Sequence, residues 1–139
     1  VERTAACGLP VGGHFILGLP GETPEQLVQQ ATVVSRLPLT TIKLHQLQLI
    51  RGTRMAHEYA EHPEEFHLFD LQEYLALVEA YLQRLRPDLV VERFLSQSPK
   101  ELLLAPDWGL KNYEFNHLLQ KRMKERCTYQ GQLFDNSGI

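Results

Sequence analysis

The hydrophobic pattern is clearest near the N-terminus, where a short apolar run leads through a glycine-proline turn into helix signals. The run His14–Leu17 predicts a strand. Thr23 can cap a helix, Pro24 suits its first position, and Gln26 completes a capping box with Thr23. Pro38 ends that helix. Its inner face would consist of Leu27, Ala31 and Val34. The segment is therefore predicted as strand, turn and helix.

A second apolar run, residues 41–50, follows after a short connection and predicts a second strand. A strand, a helix of crossover length and another strand form a β–α–β unit, whose two strands are parallel. Apolar residues occur on both faces of the second strand, and a polar side chain interrupts each face. This pattern is typical of a strand that helices cover on one side and that faces a barrel lumen on the other.

The middle of the chain continues the alternation of helix and strand. Residues 51–67 predict a turn, a short helix and a polar loop. Asp70 and Glu73 form a second capping box and open a helix that Pro87 ends. Its inner face would consist of Leu71, Tyr74, Leu75, Val78, Leu82 and Leu85. Residues 89–97 then predict a third strand, so the pattern is that of an α/β fold.

The C-terminal part is predicted to be less regular. Residues 98–109 contain two prolines and a glycine and are predicted as a loop. A last helix should extend over about residues 112–126. Its inner face would consist of Phe115, Leu118, Leu119 and Met123. Residues 129–139 are predicted to be frayed.

Composition and charge narrow the function classes. The chain has 139 residues, of which 43% are hydrophobic and 22% charged, as in a globular domain. A net charge of −3 gives no general attraction for nucleic acid or for anionic membranes. No segment has the roughly 20 apolar residues of a membrane span, so we expect no membrane partner and a cytoplasmic location.

Metal ligands are few. The two cysteines, Cys7 and Cys127, cannot bind an iron–sulfur cluster or a structural zinc unaided. His57, His62 and His67 are spaced by five, which on a helix turns successive side chains by about 140° and denies them a shared face. We therefore expect no metal site within this chain.

The turn at residues 18–22, GLPGE, allows two interpretations. Glycine permits left-handed torsions and close approach, so the turn could bring backbone groups up to a nucleotide, and the helix that follows favours anions. The alternative is a tight connection between strand and helix without a ligand. The spacing matches neither a Walker loop nor the dinucleotide-binding fingerprint.

Three segments of the chain resemble one known family. HFILGLPGET resembles the fifth-strand motif of radical S-adenosylmethionine (radical SAM) enzymes, and KLHQLQLIRGT resembles their sixth strand and the turn after it. The tail FLSQSPKELLLAPDWGLKNYEF resembles the YhcC-type subgroup near the Elongator-type radical SAM proteins. The resemblance implies an α/β fold, the C-terminal part of a partial (β/α)6 TIM-like barrel with a C-terminal helical tail. Residues 1–97 would be the last strands and helices of the barrel, and residues 98–139 a family-specific extension with a terminal helix.

The resemblance also implies a place for S-adenosylmethionine (SAM), across the carboxyl ends of the strands. Ile16 would pack on the adenine, Gly18 would keep the backbone close to it, and His14 would lie near the ribose. The backbone groups at the adenine edge would be those of Leu47, Gln48 and Leu49.

Three further residues are substrate-side candidates. Gln46, or Gln48, could point toward the substrate or could satisfy neighbouring backbone. Arg51 could bind an anionic substrate group or could simply be exposed. Arg93 lies beside Glu92, and the two could form a pair in the lumen or protect a strand edge.

The family binds a [4Fe–4S] cluster through a C-x3-C-x2-C loop, which no segment of this chain resembles. The resemblance thus implies a radical SAM oxidoreductase whose cluster ligands lie outside this chain, and this part alone is expected to be inactive. The chain begins with valine close to an apolar pattern, so we expect a longer protein whose N-terminal half completes the barrel. Alone, its open strand edges could pair two copies.

Two other functions are compatible with the pattern. One is a non-catalytic α/β binding or assembly module that keeps the β–α–β frame. The other is an RNA-contacting domain that uses the basic end of the last helix, although cations there also complement the helix dipole. Nucleic acid is accordingly not the favoured partner. The basic residues are Lys121, Arg122, Lys124 and Arg126.

Overall fold

The computed structural model describes residues 1–138 and contains five strands and five α-helices within them. The strands are β1 (Gly12–Leu17), β2 (Thr41–Gln46), β3 (Leu49–Ile50), β4 (Val90–Arg93) and β5 (Leu103–Ala105). The helices are α1 (Glu2–Ala6), α2 (Pro24–Arg36), α3 (Arg54–Glu61), α4 (Leu71–Arg84) and α5 (Asn112–Glu125). Short 3₁₀ turns cover Pro63–Glu65 and Asn136–Gly138.

The central feature is a parallel sheet in the order β1–β2–β4. Gly12 lies opposite Thr41, and Thr41 lies opposite Val90. Helix α2 connects β1 to β2, and α4 lies between β2 and β4 along the chain. Parallel neighbours require such crossover connections. The predicted β–α–β arrangement and the α/β class are confirmed.

Both predicted capping boxes are present. At the start of α2, Thr23 Oγ1 accepts a hydrogen bond from Gln26 N at 3.2 Å, and Gln26 Oε1 accepts one from Thr23 N at 3.0 Å. At the start of α4, Asp70 Oδ1 and Glu73 Oε2 each accept a hydrogen bond from the other residue's backbone N at 2.9 Å. Each box satisfies N–H groups that a helix end leaves unpaired.

The core lies between one face of the sheet and helices α2 and α4, with α5 packed against α4. The predicted inner face of α2 is buried, and so is that of α4 except for Leu71, which is partly buried. On α5, Phe115 and Leu119 are buried, whereas Leu118 and Met123 are partly buried. A fully buried leucine contributes about 1.5–3 kcal/mol through removal of its surface from water.

The predicted strand over residues 41–50 is wrong as one element, because it is divided into β2 and β3. After β2 the chain leaves the parallel sheet, and β3 pairs antiparallel with β5, with Leu49 opposite Ala105. β5 lies in the segment that was predicted as a loop. Apolar residues recur throughout residues 41–50 without a glycine or proline between them, so the pattern does not reveal the break.

The third strand is shorter than predicted, with four residues in β4 against the predicted 89–97. Beyond β4, side chains take the place of a neighbouring strand. Phe94 N donates to Asn112 Oδ1 at 2.9 Å, and Ser96 N donates to Gln46 Oε1 at 2.7 Å. The backbone is therefore hydrogen-bonded without forming a ladder.

The C-terminal segment is ordered against α4 rather than frayed as predicted. Gln130 Nε2 donates to the carbonyl oxygens of Arg86 at 2.9 Å and Leu89 at 2.8 Å. Gly131 N donates to Leu82 O at 3.0 Å. These bonds satisfy carbonyl groups at and beyond the C-terminal end of α4, where a helix leaves them unpaired. Ile139 lies outside the described residues.

The remaining helices follow the pattern with one addition. The short helix after the second strand is α3, and the last helix is α5, as predicted. α1, whose residues are all at least partly exposed, was not predicted because five residues give too little periodicity. Among residues 1–138, none of the helices combines the length and the hydropathy that crossing a membrane would require.

Candidate functional site

The parallel sheet has one covered face and one open face among the described residues. Leu17, Ile42 and Leu44 point to the covered side and are fully buried. Successive side chains of a strand point to opposite faces, so His14 and Ile16 point to the open side. Ile16 is 48% exposed there.

A cavity of about 430 Å³ lies on this open face, toward the carboxyl ends of the strands, and we call it the sheet cavity. It brings together six of the residues that the sequence singled out: His14, Ile16, Gln46, Leu47, Gln48 and Arg93. Three others, Gly18, Leu49 and Arg51, do not line it. Ligands of open α/β sheets bind outside the carboxyl ends of the strands, so its position is that of a ligand site.

His45 is a residue of this cavity that the sequence reasoning missed. Its ring stacks on that of His14, with centroids 5.4 Å apart, and its Nε2 is buried without a hydrogen bond. Burial lowers the pKa of His45 below its ordinary value, and His14, Arg93 and Lys43 lower it further. His45 is therefore a neutral imidazole whose buried nitrogen has no partner among the described residues. The parallel register, with Ile16 opposite His45, was the signal that could have revealed it.

The turn at residues 18–22 is largely satisfied by its own chain. Glu22 Oε2 accepts hydrogen bonds from Gly18 N at 3.2 Å and Leu19 N at 2.8 Å. Gln30 Nε2 holds the other carboxylate oxygen at 2.9 Å. These two amides already bind an internal anion, so the geometry favours the tight connection over an anion-binding turn. The contact of Gly18 with adenine stays a prediction.

The local structure also explains why residue 18 is a glycine. Its φ of +93° is left-handed, and a Cβ there would lie 2.6 Å from the Phe69 ring. Glycine tolerates both conditions because it has no Cβ. The residue is therefore required by the fold whatever binds nearby.

The segment from Leu47 to Leu49 has fewer polar groups available to a ligand than predicted. Leu47 N donates to Leu17 O at 3.0 Å, and Leu49 is fully buried opposite Ala105. Gln48 Oε1 accepts a hydrogen bond from Ser98 Oγ at 2.6 Å. Their contact with an adenine edge stays a prediction.

Gln46 is 4% exposed and links β2 to the segment after β4. Its Oε1 accepts from Ser96 N at 2.7 Å, and its backbone oxygen accepts from Ser96 Oγ at 3.0 Å. The side-chain oxygen of Gln46 therefore satisfies a neighbouring backbone group, which is one of the two roles predicted for this residue.

The two arginines differ in position. Arg93 lies at the sheet cavity, exposed and in register with Lys43. Glu92 binds Lys43 at 3.3 Å. Arg51 is exposed, and its backbone N donates to Leu102 O at 2.7 Å. A substrate role for either arginine stays a prediction.

A second cavity, of about 250 Å³, adjoins the first, and we call it the tail cavity. Gln46, Gln48, Ser96, Gln97 and Ser98 line both cavities. The tail contributes the far wall through Lys100, Leu103 and residues 106–111. The sequence reasoning predicted no pocket in this tail.

The three histidines that are spaced by five do not converge. His57 lies 3.6 Å from Glu61, His62 lies 3.3 Å from Glu64, and His67 lies 3.5 Å from Glu73. His62, Glu64 and Glu65 could converge on an ion, but all three are exposed, as acidic surface groups often are. The geometry gives this group no sign of a metal role.

The basic end of α5 is partly neutralised. Arg122 binds the buried carboxylate of Glu79 at 2.6 Å, and Arg126 binds it at 3.0 Å. Two of the four cations proposed for RNA thus have an internal partner. The arrangement favours a structural helix end over a nucleic-acid surface.

The family model described as the Radical SAM C-terminal domain matches residues 39–125. The chain belongs to this family. Among its relatives, YtqA of Bacillus subtilis (strain 168) is 33% identical over 134 residues, covering 96% of the chain and 41% of YtqA. YhcC of Escherichia coli (strain K12) is 29% identical over 101 residues, covering 73% of the chain and 32% of YhcC. The resemblance to YhcC-type radical SAM proteins is confirmed.

A solved structure shows the same fold as this radical SAM C-terminal chain. It is Elp3 of the archaeon Methanocaldococcus infernus with an N-terminal deletion, and it superimposes with a TM-score of 0.77 at 16% identity. The match covers 97% of the chain and 33% of the Elp3 chain. Like YtqA and YhcC, Elp3 is much longer, so the chain spans less than half the length of the relatives it matches.

Proposed function

We propose that this radical SAM C-terminal chain forms the last strands of a partial (β/α)6 barrel in a radical SAM oxidoreductase, supplying part of the SAM pocket and part of the substrate wall. The observation that carries the proposal is the open face of the sheet, with the sheet cavity toward the carboxyl ends of its strands. Barrel enzymes place their sites at this end.

The two outer strands support a larger barrel. Within residues 1–138, β1 and β4 each pair on one side only. An unpaired strand edge presents N–H and C=O groups that need a partner. In the proposed enzyme, an N-terminal half of the same protein supplies strands that continue the sheet and close over the open face.

The sheet cavity offers groups suited to part of SAM. The exposed side chain of Ile16 provides an apolar surface on which a flat base can pack. His14, on which the ring of His45 stacks, provides ring nitrogens for polar groups of the ligand. When bound, this cofactor would supply the radical chemistry, whereas the residues of this chain hold and orient it.

The residues of this chain do not fit the iron–sulfur cluster. Its two cysteines, Cys7 and Cys127, are both exposed, and a four-iron cluster needs more thiolates. We place the cluster ligands in the N-terminal half of the proposed longer protein. The 139-residue chain alone should then be catalytically inactive.

The test is formation of 5′-deoxyadenosine from SAM. The chain is expressed with its upstream sequence, reconstituted anaerobically with iron and sulfide, and reduced with dithionite. We expect 5′-deoxyadenosine from the long form and none from the 139-residue chain. A folded, cluster-loaded long form that yields none would refute the proposal in favour of a non-catalytic binding module.

A matched pair of variants tests the role of the open face. Ile16→Asp, in the long form, places a charge where the base would pack, and we expect at least a tenfold loss of 5′-deoxyadenosine, corresponding to about 1.4 kcal/mol. Val33→Asp places the same charge at another exposed apolar residue, on α2, and should leave the rate unchanged. Equal rates of 5′-deoxyadenosine formation for the two variants would contradict a contact between Ile16 and the base.

A further inference from the structure

The tail cavity has walls from two distant parts of the sequence. Gln46 and Ser96 come from segments that follow or end the parallel strands, whereas Lys100, Trp108 and Lys111 come from the tail. It adjoins the sheet cavity through the residues that both share. A ligand group in it would therefore lie beside a ligand in the sheet cavity.

Gln46 provides a donor without a partner. The backbone N–H of Ser96 fixes the orientation of its amide, because the atom that faces a donor must be the oxygen. The Nε2 group then has no hydrogen-bond acceptor among residues 1–138, in a residue that is 4% exposed and lines the tail cavity. This nitrogen can therefore donate a hydrogen bond to a ligand in the cavity.

The charges of the cavity are unbalanced toward positive. Lys100 and Lys111 line it, and neither forms an ion pair within the described chain. The acidic residue of its wall, Asp107, accepts a hydrogen bond from Gly109 N at 3.0 Å. The cavity is thus locally cationic in a chain whose net charge is −3. Such a local field attracts anions against the charge of the whole molecule.

We propose that the tail cavity binds an anionic oxygen group, a carboxylate or a phosphate, through Gln46 Nε2 and the ammonium groups of Lys100 and Lys111. We infer further that this anion is part of the substrate, and only that step rests on the proposed function. Binding of the anion itself requires neither SAM nor a cluster.

Trp108 makes the binding measurable in this chain. It is the single tryptophan of the 139 residues, and it lies in the wall of the tail cavity. Its fluorescence is followed while the chain is titrated with acetate or with inorganic phosphate, at constant ionic strength against chloride. We expect a saturable change, and the tighter of the two anions identifies the group. The absence of a saturable change with both anions would overturn the proposal.

Variants assign the effect to the cavity. Lys100→Gln combined with Lys111→Gln should raise the dissociation constant at least about tenfold, because charge-assisted hydrogen bonds are lost. Lys121→Gln combined with Lys124→Gln removes the same charge from the exposed side of α5 and should leave it unchanged. Equal weakening by both pairs would show a general charge effect and refute a specific site.

Gln46→Glu tests the donor with little change of shape. The glutamate can still accept from Ser96 N, but it replaces the donor nitrogen with an oxygen and adds a negative charge. We expect anion binding to disappear while the circular dichroism spectrum stays that of the parent chain. Because these titrations use no SAM, they can succeed even if 5′-deoxyadenosine formation fails, so the two proposals are separable. Undiminished binding by this variant would exclude Gln46.

Discussion

At the residue scale, Gly18 ends β1 in a left-handed conformation, and the Phe69 ring occupies the space where a side chain would begin. Any other residue at this position would therefore destabilise the fold in two ways. One is the backbone strain of a positive φ, and the other is displacement of a buried ring. Gly21, in the same turn, has a φ of +84° and no atom near its missing Cβ, so it carries only the first cost.

We predict that Gly18→Ala lowers the free energy of unfolding by about 3 kcal/mol, since strain and overlap add. Gly21→Ala should lower it by about 1–2 kcal/mol, because only the torsion is affected. Equilibrium urea unfolding of both variants measures the difference. Equal losses would mean that the Phe69 ring moves aside without cost.

Two tyrosines of α4 give a second comparison. Tyr74 Oη donates to Phe94 O at 2.7 Å, whereas Tyr81 Oη is buried and has no partner among the described residues. Tyr74→Phe should cost about 1–2 kcal/mol, because it leaves a buried carbonyl unpaired. Tyr81→Phe should be neutral or slightly stabilising, since it removes an unpaired hydroxyl. Thermal unfolding followed by circular dichroism checks both, and a loss for Tyr81→Phe would indicate a bound water at its hydroxyl.

Residues that belong to a known helix-capping motif were predictable. Thr23 and Asp70 cap their helices through bonds that span three positions, so the motif is visible in the sequence. Glu22 and His45 were missed for different reasons. Glu22 folds back on its own turn in a way that no period describes, and His45 acquires its role from the register with β1.

At the element scale, a buried carboxylate of α4 binds both α5 and the segment after it. Glu79 accepts hydrogen bonds from Arg122 at 2.6 Å, Arg126 at 3.0 Å and Thr128 Oγ1 at 2.8 Å. Burial by itself would raise the pKa of Glu79, but the hydrogen bonds from these three residues outweigh it and hold the pKa below its ordinary value.

This lowered pKa gives a pH-dependent contribution to stability. Because the unfolded chain takes up the proton at higher pH than the folded chain, the contribution is complete above the ordinary glutamate pKa of about 4.3. It is lost as the pH falls through the folded pKa. We predict that Glu79→Gln costs about 1–3 kcal/mol at neutral pH and less as the solution is acidified. Urea midpoints of parent and variant across this range measure the difference.

Glu58 provides the control for this prediction. It binds Arg54 at 2.7 Å on the surface of α3. Glu58→Gln should cost less than about 1 kcal/mol at neutral pH, as exposed pairs do. If Glu58→Gln lowered the free energy of unfolding as much as Glu79→Gln, the larger contribution assigned to the buried carboxylate would be contradicted.

Elements made by distant contacts were the least predictable. β3 and β5 are two and three residues long, and each exists because the other pairs with it. The tail cavity depends on the same pairing. Helices α2 and α4, by contrast, carry their own periodicity and caps, which is why their bounds followed from the sequence.

At the scale of the whole molecule, the parallel sheet has two unpaired edges and an open face within residues 1–138. Ile16 and Val90, on its outer strands, are 48% and 55% exposed. Exposed apolar strands at an open edge favour association with another chain. These edges are where the proposed N-terminal half would pair.

We predict that the 139-residue chain associates with itself as its concentration rises. Multi-angle light scattering after gel filtration measures its mass. Ile16→Lys combined with Val90→Lys should shift it toward monomer, because charged residues block edge pairing. Val33→Lys, on α2, should not. A parent chain that stays monomeric at high concentration would contradict the prediction.

The segment after α5 has a consequence for synthesis. Gln130 binds Arg86 O, a residue 44 positions earlier, at the C-terminal end of α4. That end of α4 leaves the ribosome long before the residues that cover it. A nascent chain can therefore pack the sheet against α2 and α4 while the carbonyl groups at the C-terminal end of α4 are still solvated, before Gln130 reaches them.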